Sequence, residues 1–242
     1  MSSAPRISLG IMALAVLTAT PALHSDADAV RLEPVVQRYL DQGTAQPVTS
    51  YRAFRRLEAA GLGRAGWLEA WTEIENGAFR YEITAEGGSE KVLGQVLRKY
   101  LENERHAFES GEAQRSTLTP DNYLFVAADQ QPEGLVKILM KPRRKGKLML
   151  DGAMFFAPQD AGLVRVEGRA VSNPSFWVKR VDITRHYRRI SGACVPVDVD
   201  STANIRFAGR ATFHMTYHYT HVNGRAPLGT VGTIASAAAT GR

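Results

Sequence analysis

The side chains able to do chemistry are few, and their spacing can be tested first. His214, His218 and His221 stand in the last apolar-alternating stretch, 210–222. Zinc requires ligand atoms about 2 Å from the ion. In a regular strand residues 214 and 218 share a face but lie roughly 13 Å apart, and residue 221 points to the opposite face. The three cannot form one site from such a strand. Phe213, Met215, Tyr217 and Tyr219 make the opposing stripe, which puts His214 and His218 on the solvent side. Asp182 and His186 fail as a catalytic pair for the same reason of spacing. Neither a Gly-x-Ser-x-Gly elbow nor a His-Glu-x-x-His pair occurs. Glu69, Glu73 and Glu75 line one face of the stretch 67–75, a row that also suits a solvated or salt-bridged strand face. Trp67 and Trp71 share it, so either they bury part of that face or the face is an aromatic binding surface. The lone Cys194 excludes a disulfide within the chain and reads as a small core residue before Val195, Val197 and Val199. The expectation is no catalytic residue, no metal and no cofactor.

The densest charged motif is Lys141-Pro-Arg143-Arg144-Lys145-Gly-Lys147, five cations in seven residues between two apolar runs. Two readings stay open. The tip contacts an anionic membrane surface or an acidic protein partner, at about 1 kcal/mol per cation near lipid, or it is a solubilising turn.

The elements that would position these residues follow from periodicity. Ser89 to Phe108 repeats apolar residues at helical spacing, with Ser89 as N-cap and Gly111 as stop. A shorter helix is expected over 30–42. Asn76-Gly77 between 67–75 and 78–85 marks a tight hairpin. After residue 122, short alternating stretches separated by turn signals run to Val222, which predicts an antiparallel meander curling into a barrel or half-barrel. A single amphipathic helix in such a chain buries its stripe in the concave face of the sheet. The fold class expected is therefore α+β, mostly antiparallel: an unclosed, curved half-barrel with one long helix on its concave face and a short N-terminal helix.

The chain has 242 residues and a formal charge of +6. Met1–Ala29 places Arg6 before an apolar run, 7–19, then Thr20-Pro21 and small residues, the layout of a secretory signal peptide cleaved after Ala22 or Ala29. The run is too short for a membrane span, and no nearby cysteine offers a lipidation point. The domain is expected over 30–224 and a disordered tail over 225–242. Export and the absence of a recognition motif argue against nucleic acid.

The order of elements resembles the LolA-like superfamily, which includes periplasmic carriers of outer-membrane lipoproteins. The residues carrying the likeness are 33–40 (EPVVQRYL), 51–57 (YRAFRRL), 150–156 (LDGAMFF), 181–187, Gly192, Val195-Pro196 and 213–219 (FHMTYHY). The likeness is one of layout over about 30–224 and assigns no functional residue by motif. It implies a periplasmic or secreted half-barrel whose apolar cavity receives acyl chains, with helices as its lid. Trp67, Trp71, Phe79, Tyr81, Phe155, Trp177, Phe213 and Met215 are then the candidate lining. The expected role is non-enzymatic binding of a lipid or the acyl part of a lipoprotein. An envelope sensor holding an acidic partner through the basic hairpin is the alternative, and a hydrolase ranks third.

Overall fold

A computed structural model of the protein describes residues 33–172, 178–207 and 209–227. The elements are α1 (Pro34–Ala45), β1 (Tyr51–Gly61), β2 (Arg64–Glu75), β3 (Ala78–Gly88), a helical run α2 (90–109), and seven further strands. These are β4 (Tyr123–Ala127), β5 (Val136–Pro142), β6 (Leu150–Phe156), β7 (Leu163–Ala170), β8 (Val178–Ile190), β9 (Ala193–Ile205) and β10 (Gly209–Val222). They form one ten-stranded sheet in the order β3-β2-β1-β10-β9-β8-β7-β6-β5-β4, antiparallel throughout. The order is linear, so β3 and β4 remain edges and the barrel is unclosed. The expected half-barrel is the observed fold.

Strand parity sets the two faces. Along β1, residues 51, 53, 55, 57 and 59 are buried, and along β2 the even residues 66 to 74 are. Asn76 and Gly77 carry φ of 51° and 76°, the left-handed pair that a primed two-residue turn demands. Gly88, at φ 101°, then turns the chain off β3 into α2, and a Cβ there would lie 2.5 Å from the Ala65 carbonyl oxygen. No other residue fits that corner.

Helix α2 begins where expected, with Ser89 at the N-cap, although its hydroxyl makes no capping bond. Its carbonyl instead accepts the N–H groups of Val92 and Leu93. The run is not uniform: Leu93–Leu97 is a π turn between α-helical pieces Glu90–Val92 and Arg98–Glu109. Leu93, Leu97, Tyr100, Leu101 and Ala107 are buried against Leu57, Leu68, Met140, Met154, Phe156, Phe213 and Met215 of the sheet. Arg98 fastens the outer side of the helix to Glu86 of β3 and to Glu90. Helix α1 closes the opposite end, where Val36 is buried and Tyr39 meets Phe156 edge-on at 5.5 Å.

Parity breaks once where it matters. Arg52 pairs with His221 and Ala53 with Tyr219, so Thr220 is an extra residue on β10. The bulge turns His221 outward and Val222 inward, correcting the expectation that residue 221 points to the face opposite 214 and 218. Beyond Gly224, Arg225 still exchanges backbone hydrogen bonds with Val222. The expected signal segment 1–29 and residues 228–242 of the expected tail lie outside the described residues.

Candidate functional site

The interior is filled by side chains instead of standing open. Tyr100 stacks on Phe213 with ring centroids 4.8 Å apart and planes within 9°. Phe79 stacks on Phe108 at 5.5 Å. Below them Leu57, Leu97, Met140, Met154 and Met215 are fully buried. Packing at this density leaves only small voids.

Apolar space is found at the end of the half-barrel where α2 begins. A groove of about 110 Å³ runs between the first turns of α2 (Val92, Gln95, Val96) and the ends of β1, β8, β9 and β10 (Ala59, Val178, Ala203, Ile205, Phe213). Arg64 and Lys91 mark its rim. Leu62, in the β1–β2 turn, borders it and is 44% exposed. Phe207, two residues beyond Ile205 in the β9–β10 turn, is 98% exposed. Both turn residues hold positive φ, 54° and 60°. Two large apolar side chains are thus presented to solvent on turns next to an apolar opening with basic edges.

The candidate lining residues divide. Phe79, Tyr81, Phe213 and Met215 lie on the helix side of the sheet. Trp67 and Trp71 lie on the other side, with Arg56 4.9 Å over the Trp67 ring and Arg52 4.9 Å over the Trp71 ring. Phe54 meets Trp71 edge-on at 5.4 Å. Phe155 is also on that outer side, buried under Arg165 at 4.3 Å and Lys137 at 5.9 Å. These three rings therefore do not line the concave face: sequence parity relates neighbours on one strand but leaves open which face the helix covers. Trp177 lies outside the described residues.

An interior feature escaped the sequence. Arg55 of β1 is fully buried and donates to Glu104 of α2, Nη1 to Oε2, at 2.6 Å. It also donates to the Tyr51 hydroxyl and sits 4.4 Å from the Tyr217 ring centroid. Burial alone would lower its pKa, but Glu104, Tyr217 and Tyr51 around it together raise it and the guanidinium stays charged. Burial pushes the Tyr217 hydroxyl up to about 12. Arg185 of β8 is buried among Tyr187, Tyr100 and Tyr217. A cavity of about 30 Å³, room for a water or two, lies against Arg55, Glu104, Tyr217 and Cys194. Parity held the signal: Arg55 occupies an inward position between Ala53 and Leu57, and Glu104 falls on the stripe of Leu97, Tyr100 and Leu101.

Cys194 is partly buried, and burial pushes its thiol up to about 12, so it has no thiolate character near neutrality. Of the basic motif, Lys141, Arg143, Arg144, Lys145 and Lys147 are all exposed. Two are also tied back: Arg143 Nε donates to the Pro120 carbonyl at 2.7 Å, and Arg144 donates to the Arg115 carbonyl. The loop therefore folds onto the 115–123 link.

No family model matches the chain, and no curated protein matches it either. Two solved structures are similar to it. One is a DUF1329 family protein from Desulfovibrio piger, 9% identical, with a TM-score of 0.43 over 83% of this chain and 96% of that one. The other is a LolA superfamily protein from Nitrosomonas europaea, 7% identical, with a TM-score of 0.38 over 76% of this chain and 90% of that one.

Proposed function

We propose that the protein binds a lipid, or the acyl part of a lipoprotein, without chemistry, at the open end of the half-barrel. The observation that carries this reading is the apolar groove bordered by exposed Leu62, with exposed Phe207 at the same end and Lys91 and Arg64 at its edge. Apolar side chains displayed on turns beside an apolar opening suit contact with a chain leaving a bilayer or a carrier. The two cations suit a phosphate or carboxylate headgroup. Each buried CH₂ contributes about 0.8 kcal/mol, so a ten-carbon chain supplies on the order of 8 kcal/mol before ordering costs.

Ligand pockets usually hold about 300–1,000 Å³, more than the 110 Å³ present here. In this reading the π turn of α2 is where the groove widens, since Val96 lies within it and such turns recur at functional sites. The reading includes export to the periplasm or medium, which rests on the signal-like segment 1–29.

The test uses delipidated full chain and a fluorescent fatty acid. Saturable binding, displaced by phospholipid or lipopeptide and weakened by Val96→Lys and by Ala211→Trp at another groove-lining position, is expected. No binding by folded protein would remove the carrier reading.

A second reading, contact with an anionic membrane or an acidic envelope protein, is favoured by a different observation. Leu124, Val126 and Leu139 are exposed on neighbouring strands β4 and β5, beside Lys137, Lys141 and the basic loop. Stable capture of a complex that persists after lipid extraction would favour it over the first.

A further inference from the structure

We propose that the outer face of the sheet carries a binding site for a zinc-type divalent cation, built by His186, Asp198, Asp200 and His214. No two of the four are closer in sequence than two residues, and the sheet register brings them together from β8, β9 and β10. His186 pairs with Asp198 across β8–β9, and His214 pairs with Asp200 across β9–β10. One ligand atom from each of His186, Asp198 and Asp200 lies within 4.8 Å of the others. His186 Nδ1 is 3.2 Å from Asp198 Oδ1, and His214 Nδ1 is 2.9 Å from Asp200 Oδ1. His214 Nε2 is 3.6 Å from the second Asp198 oxygen, so its two ring nitrogens face different carboxylates, and a turn of the ring would bring one of them to the cation as the fourth ligand beside the cluster of three.

Ligands at about 2.0–2.1 Å in a tetrahedron stand roughly 3.4 Å from one another, and the ligand atoms of His186, Asp198 and Asp200, all within 4.8 Å, need only a small side-chain adjustment to close on an ion. Two imidazoles with two carboxylates suit zinc, cobalt or nickel better than calcium, which takes oxygen ligands alone. The two carboxylates offset the cation's charge. The nearest cation in register is Arg165, opposite His186, and it is held at 2.8 Å by Glu167 and stacked over Phe155. Entry is open: His214 also borders a shallow groove of about 390 Å³ shared with Glu58 and Trp67. When the cation enters, each imidazole binds it through an unprotonated nitrogen and keeps its one hydrogen on the other ring nitrogen, so the metal takes the place of the hydrogen between imidazole and carboxylate.

The test is calorimetric titration of ZnCl₂ into the full chain carrying no polyhistidine tag, with cobalt absorption as a second reading of geometry. One ion per chain is expected, with the intense visible bands of tetrahedral cobalt. His186→Asn, His214→Asn and Asp198→Asn should each weaken binding by about 10-fold or more, while His218→Asn and His221→Asn leave it unchanged. Far-UV circular dichroism checks that each variant is folded. Absent zinc binding, binding indifferent to the His186 and His214 variants, or an equal loss on replacing His218 would overturn the proposal.

Discussion

Arg55 and Glu104 meet in the middle of the half-barrel, Nη1 to Oε2 at 2.6 Å, with side chains 1% and 3% exposed. The contact joins the second half of α2 to β1. Together with Arg98–Glu86 at the outer side, it holds the helix to the sheet by charge and not by apolar packing alone. Removing one partner leaves the other charge buried without its counterion, which costs about 3–5 kcal/mol. Glu104→Ala and Arg55→Ala are each expected to lower the unfolding free energy by that amount in urea titrations. The double replacement Arg55→Leu with Glu104→Leu should lose much less than the sum of the two. Additive losses would mean that the two side chains stabilise the protein independently.

The stripe of α2 gives a second expectation. Leu97 is fully buried within the π turn. Leu97→Ala should destabilise by about 2–5 kcal/mol. Leu97→Asp should do worse, since a carboxylate there must lose its hydration or take up a proton. An unchanged melting temperature for Leu97→Asp would show that the helix is not part of the core.

Part of the alkaline stability follows from the partly buried thiol. The Cys194 thiol titrates near 9 when exposed and is pushed up to about 12 by burial in the folded chain. Below pH 9 both states hold the proton and this group adds no pH dependence. Between pH 9 and 12 only the unfolded state releases it, so folding free energy falls as pH rises. Denaturant midpoints measured from pH 8 to 11 should decline, the buried tyrosines adding to the fall above pH 10, and Cys194→Ala should reduce the part of the decline between pH 9 and 10. A thiol reagent at pH 8 should modify the native protein far more slowly than the unfolded one.

The basic loop should separate into two groups of cations. Arg143 and Arg144 donate to the carbonyls of Pro120 and Arg115, whereas Lys141, Lys145 and Lys147 are exposed on the same loop. Replacing the two arginines with alanine is expected to loosen the 115–123 link, read as faster amide exchange or proteolysis there. Replacing the three lysines should leave that link intact but weaken binding to anionic vesicles, with a steep dependence on salt because exposed charges are screened beyond ~8 Å. Equal binding to neutral and anionic vesicles would leave the loop as a solubilising turn.

The sequence by itself determined the elements and their order. Period-two alternation marked the strands, the period of α2 marked the long helix, and Asn76-Gly77 marked the β2–β3 hairpin, because each signal is local and its cause lies in the neighbouring residues. It also contained the inward positions of Phe213, Met215 and Tyr219, since these share one strand. What only the tertiary structure decided was which face of each strand the helix covers. That choice sent Trp67, Trp71 and Phe155 to the outer side under arginines and a lysine, and Arg55 to the inner side against Glu104. The bulge at Thr220 and the meeting of His186, Asp198, Asp200 and His214 depend on strand register, which hydrogen bonding between distant segments sets. No spacing along one strand could have shown them, because four residues along a strand span roughly 13 Å while neighbouring strands lie only about 4.8 Å apart.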